Sequence, residues 1–353
     1  MAARDTAHDA AAPAAQTQTQ TQTQAQAPAA QTQAQSQERE AKATRAGYGE
    51  TLVELVAEGH DVMAVEADLS GSTTTAKLGA AHPERLVNVG IAEQNMIDAA
   101  AGLALAGKTV FTGSFAAFGT GRCYDQIRNT VCYAGLDVKV APTHSGVTVG
   151  PDGGSHQMLE DVSLMRGLPH MNVLVPADYW SAKRAIRIAV TTPGPFYIRL
   201  GRAKVPQVYG PDDAFELGRS HVLRAGADVT LVAGGVEVAQ ALAAAELLAA
   251  DGVDAEVVDV FSVKPFDKET LLASVAKTGC VVTCEEHSTV GGLGSAVADI
   301  VGENHPVPLE RVGVRDAFGT SGEPDELLRE YGLDAVGIAE KARRAVRRKK
   351  SRL

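Results

Sequence analysis

From residue 43 to about residue 345 the chain alternates between segments with a helical repeat of apolar residues and short β-branched runs bounded by Gly, Asp or Pro. "RAGYGETLVELVAEG" reads as an amphipathic helix, "DVMAVEAD" and "ERLVNVG" as strands, "NMIDAAAGLALAG" as a helix and "KTVFTG" as a strand. A helix near "CYDQIRNTVCYAG" and a strand at "LDVKVAP" continue the order, followed by a glycine-rich loop, "VSLMRGLP", "MNVLVPAD", a helix from Tyr179 and "GPFYIRL". Strands separated by helices close their apolar faces only as a mostly parallel sheet covered on both sides, which places the chain in the α/β class. The stretch "GRAKVPQVYGPDDAFELGRS" breaks the rhythm, and the alternation then resumes through "DVTLVAGG", "VEVAQALAAAELLAAD", "DAEVVDV", "GCVVTCEEH", "GGLGSAVADIVGE" and "PLERVGV". With 353 residues, 45% of them hydrophobic, two cores are affordable. The expected division is a first domain over 43–202, a linker over 203–218 and a smaller α/β domain over 219–346.

The two ends read differently. Residues 1–42 are nearly all Ala, Gln, Thr and Pro, have no apolar face, and are expected to be disordered. They lack the apolar core of a signal peptide, and no later segment supplies the roughly 18 apolar residues of a membrane span, so a cytoplasmic location is expected. The net charge of −10 argues against a nucleic-acid binder, and the basic run 347–353 reads as a solvated helix end or frayed tail. Cys280 and Cys284 would lie about 13 Å apart along one strand, too far for a mutual disulfide or a shared metal, so they and Cys123 and Cys132 read as reduced, buried thiols.

Glu93 stands between the apolar run Val87, Val89, Ile91 and a helix marked by Met96, Ile97, Ala100, Ala101 and Ala104. One reading makes it a first-turn carboxylate favoured by the helix dipole; the other makes it a buried carboxyl able to share a proton. The loop "THSGVTVGPDGGSHQMLED" carries His144, Asp152 and His156 between a strand and a helix, on the edge where α/β sheets take ligands. Phe115 and Phe118, three apart after a strand, suit either a core or a stacking platform for a flat ring. Arg45, Asp68, Ser72 and Arg202 at strand ends are each solvated surface on their own, and together a possible phosphate clamp.

In this order "EADLSGS", "NVGIAEQNM", "GSFAAF", "THSGVTVGPDGGSHQ", "LPHMNVLVPAD" and "YIRLGR" resemble the C-terminal half of transketolase, over about residues 43 to 345. The resemblance implies a pyrimidine-binding domain of a thiamine diphosphate enzyme followed by a transketolase C-terminal domain. It implies that Glu93 hydrogen-bonds the aminopyrimidine ring, that Phe115 and Phe118 stack around it, and that Ile91 and Asp68 approach the cofactor. It further implies that Arg45, Ser72, His144 and Arg202 hold a sugar phosphate, that Asp152 binds a substrate hydroxyl, and that His156 lies near the reacting carbons. Gly121 departs from the family, many of whose members carry a third aromatic there, so a looser ring pocket is expected.

The family anchors the diphosphate through Mg²⁺ on a segment that begins Gly-Asp-Gly, and this sequence contains no Gly-Asp-Gly. Two phosphates need that compensating charge. The chain therefore resembles one subunit of a split transketolase whose N-terminal partner supplies the Mg²⁺ ligands, with a heterotetramer of two plus two expected. The implied reaction is transfer of a two-carbon ketol unit from a ketose phosphate to an aldose phosphate. Two alternatives are a beta-type subunit of a 2-oxoacid dehydrogenase, suggested by "CYDQIRN", and a non-catalytic regulatory or scaffold subunit.

Overall fold

The computed structural model describes residues 40–351. The disorder expected for residues 1–39 lies outside the described residues. Twelve strands form two sheets. The first half contributes β1 (Val62–Glu66), β2 (Leu86–Asn88), β3 (Thr109–Gly113), β4 (Val138–Val140), β5 (Asn172–Leu174) and β6 (Phe196–Ile198). The second contributes β7 (His221–Arg224), β8 (Val229–Ala233), β9 (Ala255–Asp259), β10 (Ser262–Lys264), β11 (Val281–Ser288) and β12 (Leu309–Val314).

The seven-stranded sheet runs β10-β5-β6-β4-β3-β1-β2 and the five-stranded sheet β12-β11-β8-β9-β7. Every pair is parallel except β10–β5 and β7–β9, which are antiparallel. The α/β class holds, and the central strands are buried at nearly every position because helices cover both faces. "VSLMRGLP" forms a short helix, Asp161–Arg166. The segment near "CYDQIRN" is two π-helical stretches flanking a single α turn at Tyr124–Gln126.

Two features qualify the expected division. β10 belongs to the second half of the sequence yet pairs with β5 of the first, and a buried apolar layer runs from Val65, Met96 and Val140 to Val232, Val258 and Val297 without a break. The segment expected to be a linker is also pinned. Asp178 caps the helix Tyr179–Thr191 by accepting from Ser181 N at 2.8 Å, and its other oxygen accepts from the backbone N–H groups of Val208 and Tyr209 at 2.9 and 2.8 Å. Tyr209 in turn donates to Asp259 of β9, whose carboxyl burial pushes up to about 7.

The ends differ from expectation in detail. Lys42, placed in the tail, exchanges both backbone hydrogen bonds with Val205. Of the basic C-terminal run, residues 347–350 form the last turn of a helix, Ala335–Lys350, the helix end of the two expected readings, and residues 352–353 lie outside the described residues. Among the described residues no helix is long and apolar enough to cross a membrane. All four cysteines are free and buried.

Candidate active site

Because β1 to β6 are mutually parallel, their C-terminal ends share one edge of the sheet, and the loops leaving that edge carry the candidates. Asp68 follows β1, Glu93 follows β2, Phe115 and Phe118 follow β3, His144 follows β4 and Arg202 follows β6. Arg45 enters from the first turn of the helix Thr44–Ala57.

Glu93 is the first residue of the helix Glu93–Leu105 and only 2% exposed. Its surroundings are not apolar alone. The Arg122 guanidinium donates to its Oε2 at 2.9 Å and lies 4.3 Å from the centre of the Phe118 ring. Sequence reasoning missed Arg122, which is 29 positions away with no local signal tying it to Glu93. Ile91, counted as an apolar flank, is 78% exposed. Phe115 and Phe118 stack with their centroids 6.1 Å apart, and the ring of His156 meets Phe118 edge-on at 5.3 Å. Gly121 leaves the space beside them open; a Cβ there would meet nothing closer than Met158 Cε at 3.9 Å.

His144 is buried with φ of 63°, in the left-handed region, and its ring stacks on Phe115 at 3.7 Å. Nδ1 lies 2.7 Å from the Thr143 hydroxyl and Nε2 lies 3.5 Å from Arg45 Nη1. Burial, then the charges of Arg45 and Arg202, pull its pKa down to about 3, so the ring is neutral at physiological pH. It can offer an N–H or accept one, but it brings no charge to a phosphate clamp. Arg45 itself is shifted down by burial and by Arg202. Two guanidiniums and an imidazole that disfavour one another's charge make a site that an anion would relieve. Ser72 enters through its backbone: its carbonyl accepts from Arg45 Nη1 at 2.7 Å. Arg202 donates to Val149 O and stands 3.7 Å from Asp152. Asp68, also at positive φ, exchanges two 3.1 Å hydrogen bonds with Asn88 and touches none of the other candidates through them.

The loop bearing His144, Asp152 and His156 rests on the second half of the chain. Glu286 of β11 accepts from Thr148 N at 2.5 Å, and Gln157 donates to both Val147 O and Thr320 O. Behind it Arg199 donates to Asp161 at 2.7 Å and to Glu286 O at 2.8 Å, all three side chains being buried. The segment "CEEH" gave no sign of this duty, since its partners lie more than 80 positions away. Among the described residues no group of three or more His, Cys, Asp or Glu side chains is placed to hold a metal.

Residues 40–207 match the family of transketolase pyrimidine-binding domains and residues 218–338 that of transketolase C-terminal domains. The chain is 46% identical over 303 residues to a putative transketolase C-terminal section of Methanocaldococcus jannaschii, covering 85% of this chain and 95% of that protein. This chain belongs to the transketolase family. It is also similar, at 45% identity over 308 residues (87% of this chain, 96% of the relative), to a 6-deoxy-6-sulfo-D-fructose transketolase subunit of Clostridium sp.. Among solved structures it resembles a split gene transketolase described as an inactive beta4 tetramer, with a TM-score of 0.81, 47% identity and coverage of 88% of this chain and 100% of that one. Within a transketolase frame, Glu93, the Phe115–Phe118 pair and the cluster of Arg45, His144 and Arg202 occupy a single sheet edge.

Proposed function

We propose that this transketolase-family chain works with a second polypeptide to transfer a two-carbon ketol unit between sugar phosphates, using thiamine diphosphate. The observation that carries the reading is the joining, along one sheet edge, of a buried helix-start carboxylate, a stacked aromatic pair and a cluster of mutually repelling cationic and imidazole groups. A flat heteroaromatic ring fits this chain's residues: Glu93 would hold its ring nitrogen, and Phe115 and Phe118 would stack beside it. Bound there, thiamine diphosphate would supply the nucleophilic carbon and the electron sink for cleaving the bond next to a ketose carbonyl.

The chain's own groups orient and polarise. Glu93 shares a proton at the ring nitrogen, with Arg122 as its counter-ion. His144, neutral, holds a sugar oxygen through Nε2 while Thr143 fixes its other nitrogen. Arg45 and Arg202 take the phosphate, each retaining N–H donors beyond those used on Ser72 and Val149. Asp152 takes a sugar hydroxyl, and His156, against the edge of Phe118, faces the reacting carbons. The diphosphate end has no counterpart in a sequence without Gly-Asp-Gly, which supports a partner chain that provides it together with Mg²⁺, in an assembly of two plus two. The name of the relative from Methanocaldococcus jannaschii, a C-terminal section, supports the same division. A buried, ion-paired Glu93 on the same sheet edge as a cationic cluster of Arg45 and Arg202 speaks against a non-catalytic scaffold.

Reconstitution tests this. Turnover of a ketose phosphate with an aldose phosphate should need both chains, thiamine diphosphate and Mg²⁺, and Glu93→Gln should lower kcat at least about a hundredfold without loss of assembly. Turnover by this chain alone, or a wild-type rate in the variant complex, would overturn the reading.

A further inference from the structure

Away from the sheet edge, a concave pocket of about 460 Å³ opens on the second half of the chain. Arg311 comes from β12, Arg315 and Asp316 from the turn after it, and Arg344 and Arg348 from successive turns of the helix Ala335–Lys350. Glu310, only 5% exposed, organises the helix side: its Oε1 accepts from Arg348 at 2.6 Å and lies 3.2 Å from Arg344 Nε. Arg311 is held by Thr289 O at 2.8 Å. Four guanidiniums thus face two carboxylates on a chain whose net charge is −10. Each guanidinium has five N–H donors, so fixing one or two leaves a fork aimed at the pocket. The pocket is open to solvent, and its volume suits a small anion.

The pocket also adjoins the active-site loop through one segment. Asp316 sits at φ of 42°, in the left-handed region that aspartate tolerates better than most residues, and marks a turn of the chain. From there the chain runs directly under the loop. Thr320 O accepts from Gln157 at 2.9 Å, a Cβ on Gly319 would fall 1.7 Å from Gln157 Oε1, and one on Gly153 would fall 2.5 Å from the Ser321 hydroxyl oxygen. Residues 319–322 are in close contact with the residues around Asp152 and His156, and 316–318 join them to the pocket.

We propose that the arginine pocket binds a phosphate dianion, free or carried on a small metabolite, and that its occupancy stiffens segment 316–322 and with it the loop 150–157. The ligand bridges β12, the Asp316 turn and the C-terminal helix, so it ties the segment to two rigid elements. The site does not rest on the proposed reaction, and failure of that reaction would leave a phosphate titration unchanged.

Calorimetry uses the full chain carrying Arg202→Ala, which weakens the other cationic cluster, and hydrogen exchange uses the chain with Arg202 intact, because Arg202 holds Val149 O beside the loop 150–157. Calorimetric titration with inorganic phosphate should show one saturable site. Adding Arg344→Ala should weaken it at least about tenfold, whereas Arg347→Ala, three residues on and not among the residues lining the pocket, should change it less than about twofold. Glu310→Gln should tighten it, because a competing negative charge is removed; a purely structural role for the Glu310 pairs predicts no gain. Ribose 5-phosphate in place of inorganic phosphate separates a metabolite site, which binds it more tightly, from a free-phosphate site, which does not. Phosphate should slow hydrogen exchange over 150–157, and this should vanish with Arg344→Ala. No saturable binding, or equal weakening by Arg347→Ala and Arg344→Ala, overturns the site; binding without protection of 150–157 overturns the coupling.

Discussion

His144 offers a direct thermodynamic check on the site as drawn. In the folded chain its pKa is pulled down to about 3, first by burial and then by Arg45, Arg202 and His156. Unfolded, it returns to about 6.5. A histidine with a lowered folded pKa binds a proton only in the unfolded state between those values, so stability falls as pH drops below about 6.5. Between pH 7 and pH 5 the unfolded side chain goes from mostly neutral to almost fully charged while the folded one stays neutral, a loss of about 2 kcal/mol. His144→Asn removes this component: asparagine does not titrate, tolerates the left-handed backbone at φ of 63°, and can still meet the Thr143 hydroxyl. Urea unfolding followed by fluorescence of the single tryptophan, Trp180, measures both proteins at both pH values. The wild type should lose about 2 kcal/mol more than the variant on going from pH 7 to 5. Parallel losses, agreeing within about 0.5 kcal/mol, would mean that His144 titrates normally and that the cationic cluster around it is wrongly described.

Two further outcomes follow from the same contacts. Arg202→Ala should reduce kcat/KM for a phosphorylated acceptor by about tenfold to a hundredfold, and for unphosphorylated glycolaldehyde by much less; because Arg202 also braces Val149, equal losses would assign it to the loop and not to the phosphate. Gly146→Ala should destabilise the fold by more than about 2 kcal/mol in urea unfolding, since φ is 80° there and the new Cβ would fall 2.1 Å from Glu286 Cδ; a stable, fully active variant would show that the loop is not pressed onto β11.

What was legible in the sequence was whatever is written locally. Apolar periodicity located the parallel strands and the helix after Glu93, because each of these buries a continuous face. The strand Ser262–Lys264 was not legible: three residues give no period, and its pairing is fixed by β5, some 90 positions earlier. The candidates could be named because they stand at strand ends, and the structure joins Glu93, Phe115, Phe118, His144, His156 and Arg45 through a chain of contacts, with Arg202 acting on Arg45 and His144 through its charge. Their supports were not found. Arg122 and Glu286 act across the fold, and no spacing rule connects an arginine to a glutamate 29 residues before it or a strand carboxylate to a backbone amide 138 residues away. That His144 is neutral was not legible either, because it follows first from burial and then from Arg45 and Arg202, which only the folded chain brings near.

The pairing of β10 with β5 bears on how such a chain could have been assembled or could be re-engineered. The two family segments look like exchangeable modules, but a graft that swapped the second for a relative's would have to preserve a three-residue antiparallel edge as well as the surface beneath Gln157. Cut free, the first segment would present the backbone of Asn172–Leu174 to solvent as an open sheet edge, inviting association with another chain. Recombination between relatives is therefore constrained to crossover points outside residues 157–320, so that β5 with β10, and Gln157 with the segment beneath it, are inherited together.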